Sequence, residues 1–459
     1  MSGFLVVAVW IVVLTGAGSF VTWPLARGAG LSRATAIAAG WLAGQLALGG
    51  TARVLSWMDL AWTPFRLLAG VLLLSAVGGV MALRVAPAAA APRPAAQRRL
   101  ATWVGTALTI ALVLATLSVT IRQVRSPLWS NDAIAIWAVK AKVFAAAAGV
   151  DSASLTDPGY DFSHPEYPLL WPVTMAAPMV GRDFDDLALT LFAPFLTLLL
   201  LAALLGELRR RGLDPPEVAA MGLIFLSFEG LLGPFHVGLA ELPLAVAMLV
   251  AGVAVARLRE HCDAGAAPLL AIALCAAVLL KNEGMVLPLA AAVILFWPGK
   301  RPALRLLAGA LAPPVLLLVA SLLFRRMAGL ALHGDLQLRW LGPMELVRRL
   351  GTVAQFVFEH LIWPHALVAA VLVVLLFLGL RSGGNPGALG AFLLLVVLAY
   401  LPAYLWTRRD LTWYLETTLT RIAAPLGALL LLLVGGQLAA WLRELRLSSS
   451  AKWAARSGG

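Results

Sequence analysis

The sequence alternates long apolar runs with short polar breaks over most of its length. The repeated apolar runs are about 20 residues long, which is what an α-helix needs to cross about 30 Å of hydrocarbon. We therefore predict an all-α polytopic membrane protein with about 13 transmembrane helices and two long outer loops that carry interfacial helices. The predicted spans are 3–24, 34–56, 62–83, 100–121, 184–207, 216–234, 238–258, 266–281, 285–298, 303–324, 364–380, 387–406 and 419–442. The pair 266–281 and 285–298 is short for full spans, which suggests a tight hairpin that lines a cavity.

Composition supports this class, because 61% of the residues are hydrophobic and only 13% are charged, against about 25% charged in soluble domains. A net charge of +12 would suggest nucleic acid as a partner of a soluble protein. Here the basic residues lie mostly at the ends of apolar runs, where they fix topology and meet anionic lipid headgroups. We therefore predict a lipid bilayer as partner and no nucleic acid. Cys262 and Cys275 offer no disulfide framework and no metal-ligand spacing.

The basic residues fall unevenly between the two sides of the predicted spans. One side collects most of them, including Arg27, Arg33, Arg209, Arg210, Arg211, Arg257, Arg259, Arg301, Arg305 and Arg381. The positive-inside rule makes that side cytoplasmic. The prediction is a multi-pass protein of the inner (plasma) membrane, with its N-terminus outside and a first span that is retained, since no basic segment precedes it.

This topology divides the chain into four parts. Three leading helices occupy 1–84, a cytoplasmic Pro/Ala linker occupies 85–99, and a basic cytoplasmic tail occupies 443–459. The main module, 100–442, carries the loops 122–183 and 325–363 on the periplasmic or extracellular side. Ionisable groups concentrate at that outer face, which marks it as the place for chemistry.

The first outer loop opens with "SPLWSNDAIAIWAVKAKVF", residues 126–144. Ser130, Asn131 and Asp132 are good N-cap residues before a helix whose apolar positions recur at helical spacing. We expect this helix to lie along the membrane interface, with Trp137 and the lysines setting its depth and with Asp132 held ionised by backbone N–H groups. Spacing alone leaves two roles open for Asp132, a catalytic carboxylate or a capping acid beside snorkelling lysines such as Lys140.

Further along the same loop, "DFSHPEYPLLWPV" contains three prolines that forbid a regular helix. His164, Glu166 and Tyr167 are therefore presented on a rigid, irregular backbone. Such a loop either shapes a pocket or routes the chain back into the bilayer. His164 with Glu166 is too small a set to define a metal site.

Charged residues also appear where predicted spans meet the outer face. Glu241 lies in "GLAELPLA", and Lys281 and Glu283 lie in "LLKNEG" between two short apolar runs. Burying these charges is costly without partners, and a local Lys281–Glu283 pair is the simplest arrangement. Three outer arginines run against the positive-inside trend: Arg408, Arg409 and Arg421. Guanidinium binds phosphate bidentately, so their ligand is either a substrate phosphate or lipid headgroups.

Five short segments, in order, resemble motifs of bacterial glycosyltransferases of the GT-C superfamily. They are "NDAIAIWAVKAKVF", "HPEYPLLWP", "GLAELPLA", "LLKNEG" and "LTWYLETTLTRIAAPL". The resemblance covers about residues 100 to 421. The better-known members of this superfamily are the aminoarabinose and protein mannosyl transferases. It implies transfer of a sugar from a polyprenyl-phosphate donor to a glycan, lipid or protein acceptor. The superfamily often has paired acids in the first outer loop, whereas this chain has Asn131-Asp132.

The resemblance also implies roles for particular residues. Asp132 would be the general base, and Lys140, Lys281, Arg408, Arg409 and Arg421 would bind the donor phosphate. His164, Glu166, Tyr167, Glu241 and Glu283 would bind sugar or acceptor hydroxyls. Because superfamily members differ in metal dependence, a divalent cation in place of the second acid stays open. Two other functions compete with this enzyme: a transporter or flippase for a lipid-linked sugar or another amphiphile, and a scaffold without catalysis.

Overall fold

The computed structural model describes residues 2–84, 102–128, 130–150, 152–228, 232–233, 236–299, 301–327, 341–383 and 386–457. Its helices are α1 (Gly3–Gly28), α2 (Arg33–Trp57), α3 (Pro64–Leu83), α4 (Thr102–Arg125), α5 (Val139–Ala147), α6 (Ser152–Thr156), α7 (Leu170–Ala176), α8 (Asp186–Leu189), α9 (Phe192–Arg210), α10 (Pro215–Leu226), α11 (Glu241–His261), α12 (Ala266–Leu280), α13 (Val286–Phe296), α14 (Leu304–Met327), α15 (Pro343–Val357), α16 (Ala366–Arg381), α17 (Gly387–Leu405), α18 (Leu411–Ala423) and α19 (Gly427–Ser457). No strand occurs in these ranges.

Eight helical segments of the described chain are long and apolar enough to cross a membrane, and four shorter apolar helices accompany them. This confirms an all-α membrane protein. Each of the predicted spans overlaps a helix, but the count of thirteen spans stays a prediction. One boundary differs clearly, because α10 ends at Leu226 whereas the predicted span continued to 234. The predicted linker 85–99 lies outside the described residues.

Helix α11 forms the centre of the bundle, with 94% of its most apolar window buried. It packs against α9, α12, α17 and α19. Glu241 is its first residue and is fully buried, so this helix places a carboxylate inside the protein at one end of the bundle.

The leading helices α1 and α2 pack at very close range. An added Cβ at Gly18 would lie 1.8 Å from the carbonyl oxygen of Gly40, and one at Gly44 would lie 2.1 Å from that of Leu14. Small residues allow this approach, as in small-xxx-small packing of membrane helices. Helix α2 in turn contacts α7, α9 and α12. The leading helices are therefore packed directly onto the main module.

One end of the bundle, here called the basic end, gathers groups that the topology predicts to be cytoplasmic. The buried carboxylate of Glu207 accepts hydrogen bonds from the Ser32 amide (2.8 Å) and the Thr35 hydroxyl (2.7 Å) at the start of α2. Arg257 pairs with Asp263 at 2.8 Å, and Arg446 pairs with Asp214 at 2.7 Å. Glu207 thereby joins the end of α9 to the start of α2. Arg257 joins α11 to the start of α12, and Arg446 joins α19 to the start of α10.

The opposite end, here called the site end, contains a short helical hairpin. Helix α12 has 15 residues and α13 has 11, which at about 1.5 Å per residue gives lengths of about 22 Å and 16 Å. The turn Asn282–Met285 joins them. The hydrocarbon of a bilayer is about 30 Å thick. If both helices have their far ends at the basic end, they are too short to cross it, and the turn lies below the membrane surface at the site end.

Candidate functional site

Asp132 lies at the start of the helical segment that follows α4, at the site end. The predicted helix is present, starting with a π-helical turn, Ala133–Ala138, that runs into α5. The capping residue is Ser130, whose hydroxyl accepts from the Ala133 amide at 3.2 Å, and the Asp132 side chain makes no capping hydrogen bond. The expectation that backbone N–H groups hold Asp132 was therefore wrong. Its Oδ2 instead accepts from Arg421 Nη1 at 2.5 Å.

Arg421 begins a chain of alternating charges. Its Nε donates to Glu241 Oε1 at 2.8 Å. Lys281 Nζ donates to the same Glu241 oxygen at 3.0 Å and to Glu283 Oε1 at 2.8 Å. We call Asp132, Arg421, Glu241, Lys281 and Glu283 the charge chain. The local Lys281–Glu283 pair is present, but it is one part of a larger array drawn from four separate segments.

The middle of the charge chain is buried and its two ends are partly open. The side chain of Glu241 is 0% exposed and that of Lys281 is 3% exposed, whereas Asp132 is 34% and Glu283 23% exposed. Among the described residues, Glu241 Oε2 and Glu283 Oε2 are buried without a hydrogen-bond partner. Buried polar atoms normally have partners. These two carboxylate oxygens are therefore enclosed acceptors whose hydrogen-bonding capacity is not filled within the described residues.

A second cluster surrounds Lys140 on α5. Its ammonium donates to the His164 carbonyl oxygen at 2.5 Å and lies 6.0 Å and 5.8 Å from the ring centroids of Trp137 and Tyr167. His164 Nδ1 bonds Glu166 Oε1 at 2.9 Å, and its ring stacks on Tyr167. Trp137 is 0% exposed and Lys140 is 3% exposed. The interpretation of both as interfacial anchors was wrong, because both are part of the interior.

The titration behaviour of this cluster follows from its burial and pairing. Burial lowers the pKa of Lys140 to about 7, against the opposing effect of Glu166. The hydrogen bond to Glu166 raises the pKa of His164. Burial alone would raise the pKa of Glu166, but His164 and Lys140 together lower it. The cluster therefore changes its charge near neutral pH, with His164 and Lys140 as the titrating groups.

No group of three or more His, Cys, Asp or Glu side chains in the described part of the chain is arranged to hold a metal ion. His164 and Glu166 bond each other through Nδ1 and Oε1. We therefore assign no metal ligands in the described residues.

Arg408 and Arg409 lie apart from the charge chain as defined above. Both are exposed in the turn that precedes α18, and the guanidinium carbon of Arg409 lies 5.8 Å from the centroid of the Trp413 ring. Of the five cations predicted to bind phosphate, Arg421 and Lys281 belong to the charge chain and Lys140 to the second cluster. The structure does not bring Arg408 and Arg409 into either group.

Sequence reasoning missed Arg325 and Tyr400. Arg325 is buried at the end of α14, and its Nη2 donates to Asn282 Oδ1 at 2.9 Å. The Tyr400 hydroxyl donates to the carbonyl oxygen of Glu283 at 3.2 Å. Because Arg325 follows an apolar run and precedes Arg326, it has the pattern of a charge that merely flanks a membrane span. Its neighbours in sequence gave no sign that it is buried.

Comparison of the chain with protein-family models, with curated proteins and with solved structures gives no match. The class of protein is therefore defined by its fold together with its candidate site. The protein is an all-α membrane protein in which a chain of five buried and half-buried charges lies at one end of the helix bundle.

Proposed function

We propose that the protein is an inverting glycosyltransferase that moves a sugar from a polyprenyl-phosphate donor to an acceptor hydroxyl. The observation that carries the proposal is the position of Asp132 at an open end of the charge chain, paired with Arg421. A carboxylate beside a fixed cation serves as a general base next to a site that binds an anion. The choice of sugar transfer as the reaction comes from the resemblance of five sequence segments to motifs of GT-C glycosyltransferases.

The reaction requires one displacement. The acceptor hydroxyl gives its proton to Asp132 while its oxygen forms a bond to the anomeric carbon. The bond between that carbon and the phosphate oxygen breaks, and the electron pair leaves with the lipid phosphate. Attack from the side opposite the leaving group inverts the anomeric configuration. In this proposal Arg421 orients Asp132 and balances charge as the phosphate departs.

Burial of the charges supports a role in chemistry. Buried ion pairs contribute little to stability, since desolvation offsets their attraction. In a site of low dielectric constant, fixed charges act more strongly on a transition state than they would in water. The charge chain is thus costly as a structural element and useful as a catalytic one.

The remaining predicted ligands differ in how they suit sugar and acceptor binding. The side chain of Glu283 is 23% exposed, and its carboxylate can accept from sugar hydroxyls. Glu241 is 0% exposed, and we assign it to holding Arg421 and Lys281. Tyr167 is packed between His164 and Trp137, with ring centroids 5.0 Å and 5.7 Å away. Because its neighbours cover the ring faces, Tyr167 can contact a sugar only through the edge of its ring.

We place the site on the outer side of the plasma membrane. The charge chain lies at the site end, opposite the basic end that holds Arg257 and Arg446. The positive-inside rule then assigns the basic end to the cytoplasm. A polyprenyl-phosphate sugar has its tail in the bilayer and its sugar at the interface, which matches a recessed turn such as Asn282–Met285.

The test is incubation of the purified full chain in nanodiscs with a panel of polyprenyl-phosphate sugars and simple acceptor glycosides. Mass spectrometry follows release of free polyprenyl phosphate, and NMR of the product gives the anomeric configuration. Release together with an inverted product supports the proposal. Release with a retained configuration would contradict the single displacement.

One observation favours a second function, a transporter or flippase of a lipid-linked sugar. The α12–α13 hairpin is broken inside the bundle by Lys281, Asn282 and Glu283, and transporters place binding groups at such breaks. This function predicts movement of a labelled polyprenyl-phosphate sugar across proteoliposomes without cleavage of its sugar–phosphate bond. The glycosyltransferase predicts cleavage of that bond.

A further inference from the structure

Arg53 is a cation on the exposed face of a leading helix, near the end of α2 that lies at the site end. Gly50, Arg53, Val54 and Trp57 recur at helical spacing and are all exposed, so they share one face of α2. Val54 is 52% and Trp57 87% exposed. In the described part of the chain Arg53 makes no hydrogen bond or ion pair, and no carboxylate is near enough to balance its charge. A cation on an apolar, membrane-facing surface is costly without a partner, so Arg53 has capacity for an anion.

The Arg53 side chain is held against an aromatic ring of another helix. Its guanidinium carbon lies 4.6 Å from the centroid of the Phe324 ring on α14. An arginine stacked on an aromatic face is oriented by it and keeps the N–H groups in its own plane for other ligands. Phe324 is 38% exposed, and it follows Leu316 (67% exposed) and the exposed Ala320 at four-residue spacing. An open apolar strip of α14 therefore ends at the ring that holds Arg53.

A gap separates α2 from α14 at this level. In the described chain each of the two helices packs against α12, whereas they have no packed interface with each other and meet through Arg53 and Phe324. Helices α2 and α12 both start at the basic end, where an added Cβ at Gly265 would lie 2.2 Å from the carbonyl oxygen of Leu25. Helix α12 ends after about 22 Å, and Arg53 lies about 30 Å along α2. Helix α12 therefore does not fill the gap beside Arg53.

The gap adjoins the turn that follows α12. Phe324 contacts Arg53, and the next residue, Arg325, donates to Asn282 Oδ1 at 2.9 Å. Successive residues of a helix point about 100° apart, so Arg53 and the turn are neighbours around the end of α14. The turn includes Glu283 of the charge chain. The gap between α2 and α14 thus lies between the exposed surface of the bundle and the candidate site.

We infer that a polyprenyl phosphate enters the site from the bilayer through the gap between α2 and α14, and that Arg53 binds its phosphate at the entrance. The planar guanidinium forms paired hydrogen bonds with phosphate oxygens, and the apolar chain lies along the exposed strip of α14 that ends at Phe324. This inference rests on the proposed function and gives the leading helices a part in substrate binding. Arg53 is a binding residue and takes no part in the displacement.

The experiment measures binding of undecaprenyl phosphate and undecaprenol to the full chain in phosphatidylcholine nanodiscs, by native mass spectrometry. Arg53→Gln is compared with Arg66→Gln, which changes another exposed arginine of the leading helices, one that donates to the Ala61 carbonyl oxygen at 2.8 Å. Loss of a charge-assisted hydrogen bond corresponds to about a tenfold loss of affinity. We expect that loss for undecaprenyl phosphate with Arg53→Gln, unchanged undecaprenol binding, and wild-type behaviour of Arg66→Gln. Arg53→Lys keeps the charge without the planar donors and should lie between Arg53→Gln and wild type.

A photoreactive undecaprenyl phosphate with a diazirine near the phosphate locates the lipid. Peptides that crosslink to it should come from the site-end halves of α2 and α14, and unlabelled undecaprenyl phosphate should suppress them. Arg53→Gln should reduce this crosslinking, while its thermal unfolding should match that of wild type, because the side chain has no hydrogen bond or ion pair to lose in the described chain.

Three results would overturn the inference. One is an Arg53→Gln protein that prefers undecaprenyl phosphate over undecaprenol as the wild type does. Another is equal weakening by Arg53→Gln and Arg66→Gln, which would reflect surface charge in general. The third is suppression of the crosslinks by phosphatidylglycerol as effectively as by undecaprenyl phosphate, which would make the occupant an ordinary phospholipid. Failure of the proposed function is distinct, because it would leave Arg53-dependent lipid binding intact while wild type releases no polyprenyl phosphate from any sugar donor.

Discussion

Asp132 and Arg421 lie 289 positions apart in the chain and are joined by a 2.5 Å hydrogen-bonded ion pair. The pair connects the segment between α4 and α5 to α18, the helix that precedes the long final helix α19. Arg421 also holds Glu241 at the start of the most buried helix. Contact between these distant segments creates the site, and no segment contains it alone.

The capping arrangement predicts that Ser130 matters more than Asp132 for the local fold. Ser130→Ala removes the hydroxyl that accepts from the Ala133 amide and should cost about 1 kcal/mol. Asp132→Asn keeps an acceptor for Arg421 and removes no cap, so its effect on stability should be smaller. Thermal unfolding in detergent compares the two variants. A larger loss for Asp132→Asn would show that its carboxylate is structural.

The charge chain predicts strong coupling between Glu241 and Lys281. Glu241→Gln removes the carboxylate shared by buried Lys281 and half-buried Arg421 and should destabilise the protein by about 3–5 kcal/mol. Glu359→Gln changes an exposed carboxylate and should stay within about 0.5 kcal/mol of wild type. Lys281→Met should cost less in the Glu241→Gln background than alone. Additive effects would mean that the two side chains do not share one array in the folded protein.

The His164–Glu166 pair predicts a stability that depends on pH. The pKa of His164 is raised by its bond to Glu166, and the pKa of Glu166 is lowered. The stabilisation is therefore full between the unfolded-state pKa values, about 4.3 for Glu and about 6.5 for His. It is lost above that window as His164 deprotonates through its raised pKa, and below it as Glu166 is protonated through its lowered pKa.

The measurement is the difference in unfolding midpoint between wild type and Glu166→Gln from pH 4 to 9. The difference should be largest near about pH 5 to 6 and should shrink toward alkaline pH. Loss of the Lys140 proton near its pKa of about 7 acts in the same direction, since Lys140 also interacts with Glu166. A difference that grows above neutral pH would contradict the assignment.

The close packing of α1 on α2 predicts that Gly44 does not tolerate a side chain. A Cβ there would lie 2.1 Å from the Leu14 carbonyl oxygen, whereas one at Gly16 meets nothing within 4 Å. Gly44→Ala forces the helices apart and should cost about 1–3 kcal/mol, while Gly16→Ala should be neutral or stabilising. Thermal unfolding of both variants checks this. Equal stability would mean that the helices do not pack through this face.

The helices were largely predictable because each apolar run is a local signal that needs no partner. The span predicted as 266–281 matches Ala266–Leu280, and that predicted as 387–406 matches Gly387–Leu405. The end of α10 was predicted too late, because Phe228, Leu231 and Leu232 keep the average hydropathy high although Ser227 and Glu229 interrupt the run directly after Leu226. Hydrophobicity does not distinguish a helix from a buried irregular segment.

The site was predictable as a set of charged residues but not as an arrangement. Glu241 and Arg421 were identified individually, yet their pairing depends on two helices meeting across 180 positions. Lys140 was misinterpreted because a lysine beside a tryptophan on an apolar helix is typical of an interface. Only the position of loop 163–167 over Lys140 shows that it is buried. Arg325 escaped notice for the same reason.

The central claim is that Asp132 is the general base for sugar transfer, and one comparison tests it most directly. Wild type and Asp132→Asn are incubated with the polyprenyl-phosphate sugar that wild type accepts, and transfer is measured by product formation. The account predicts binding of the donor by both proteins, equal thermal stability within about 1 kcal/mol, and loss of transfer in Asp132→Asn alone. Transfer at the wild-type rate by a correctly folded Asp132→Asn protein would contradict it.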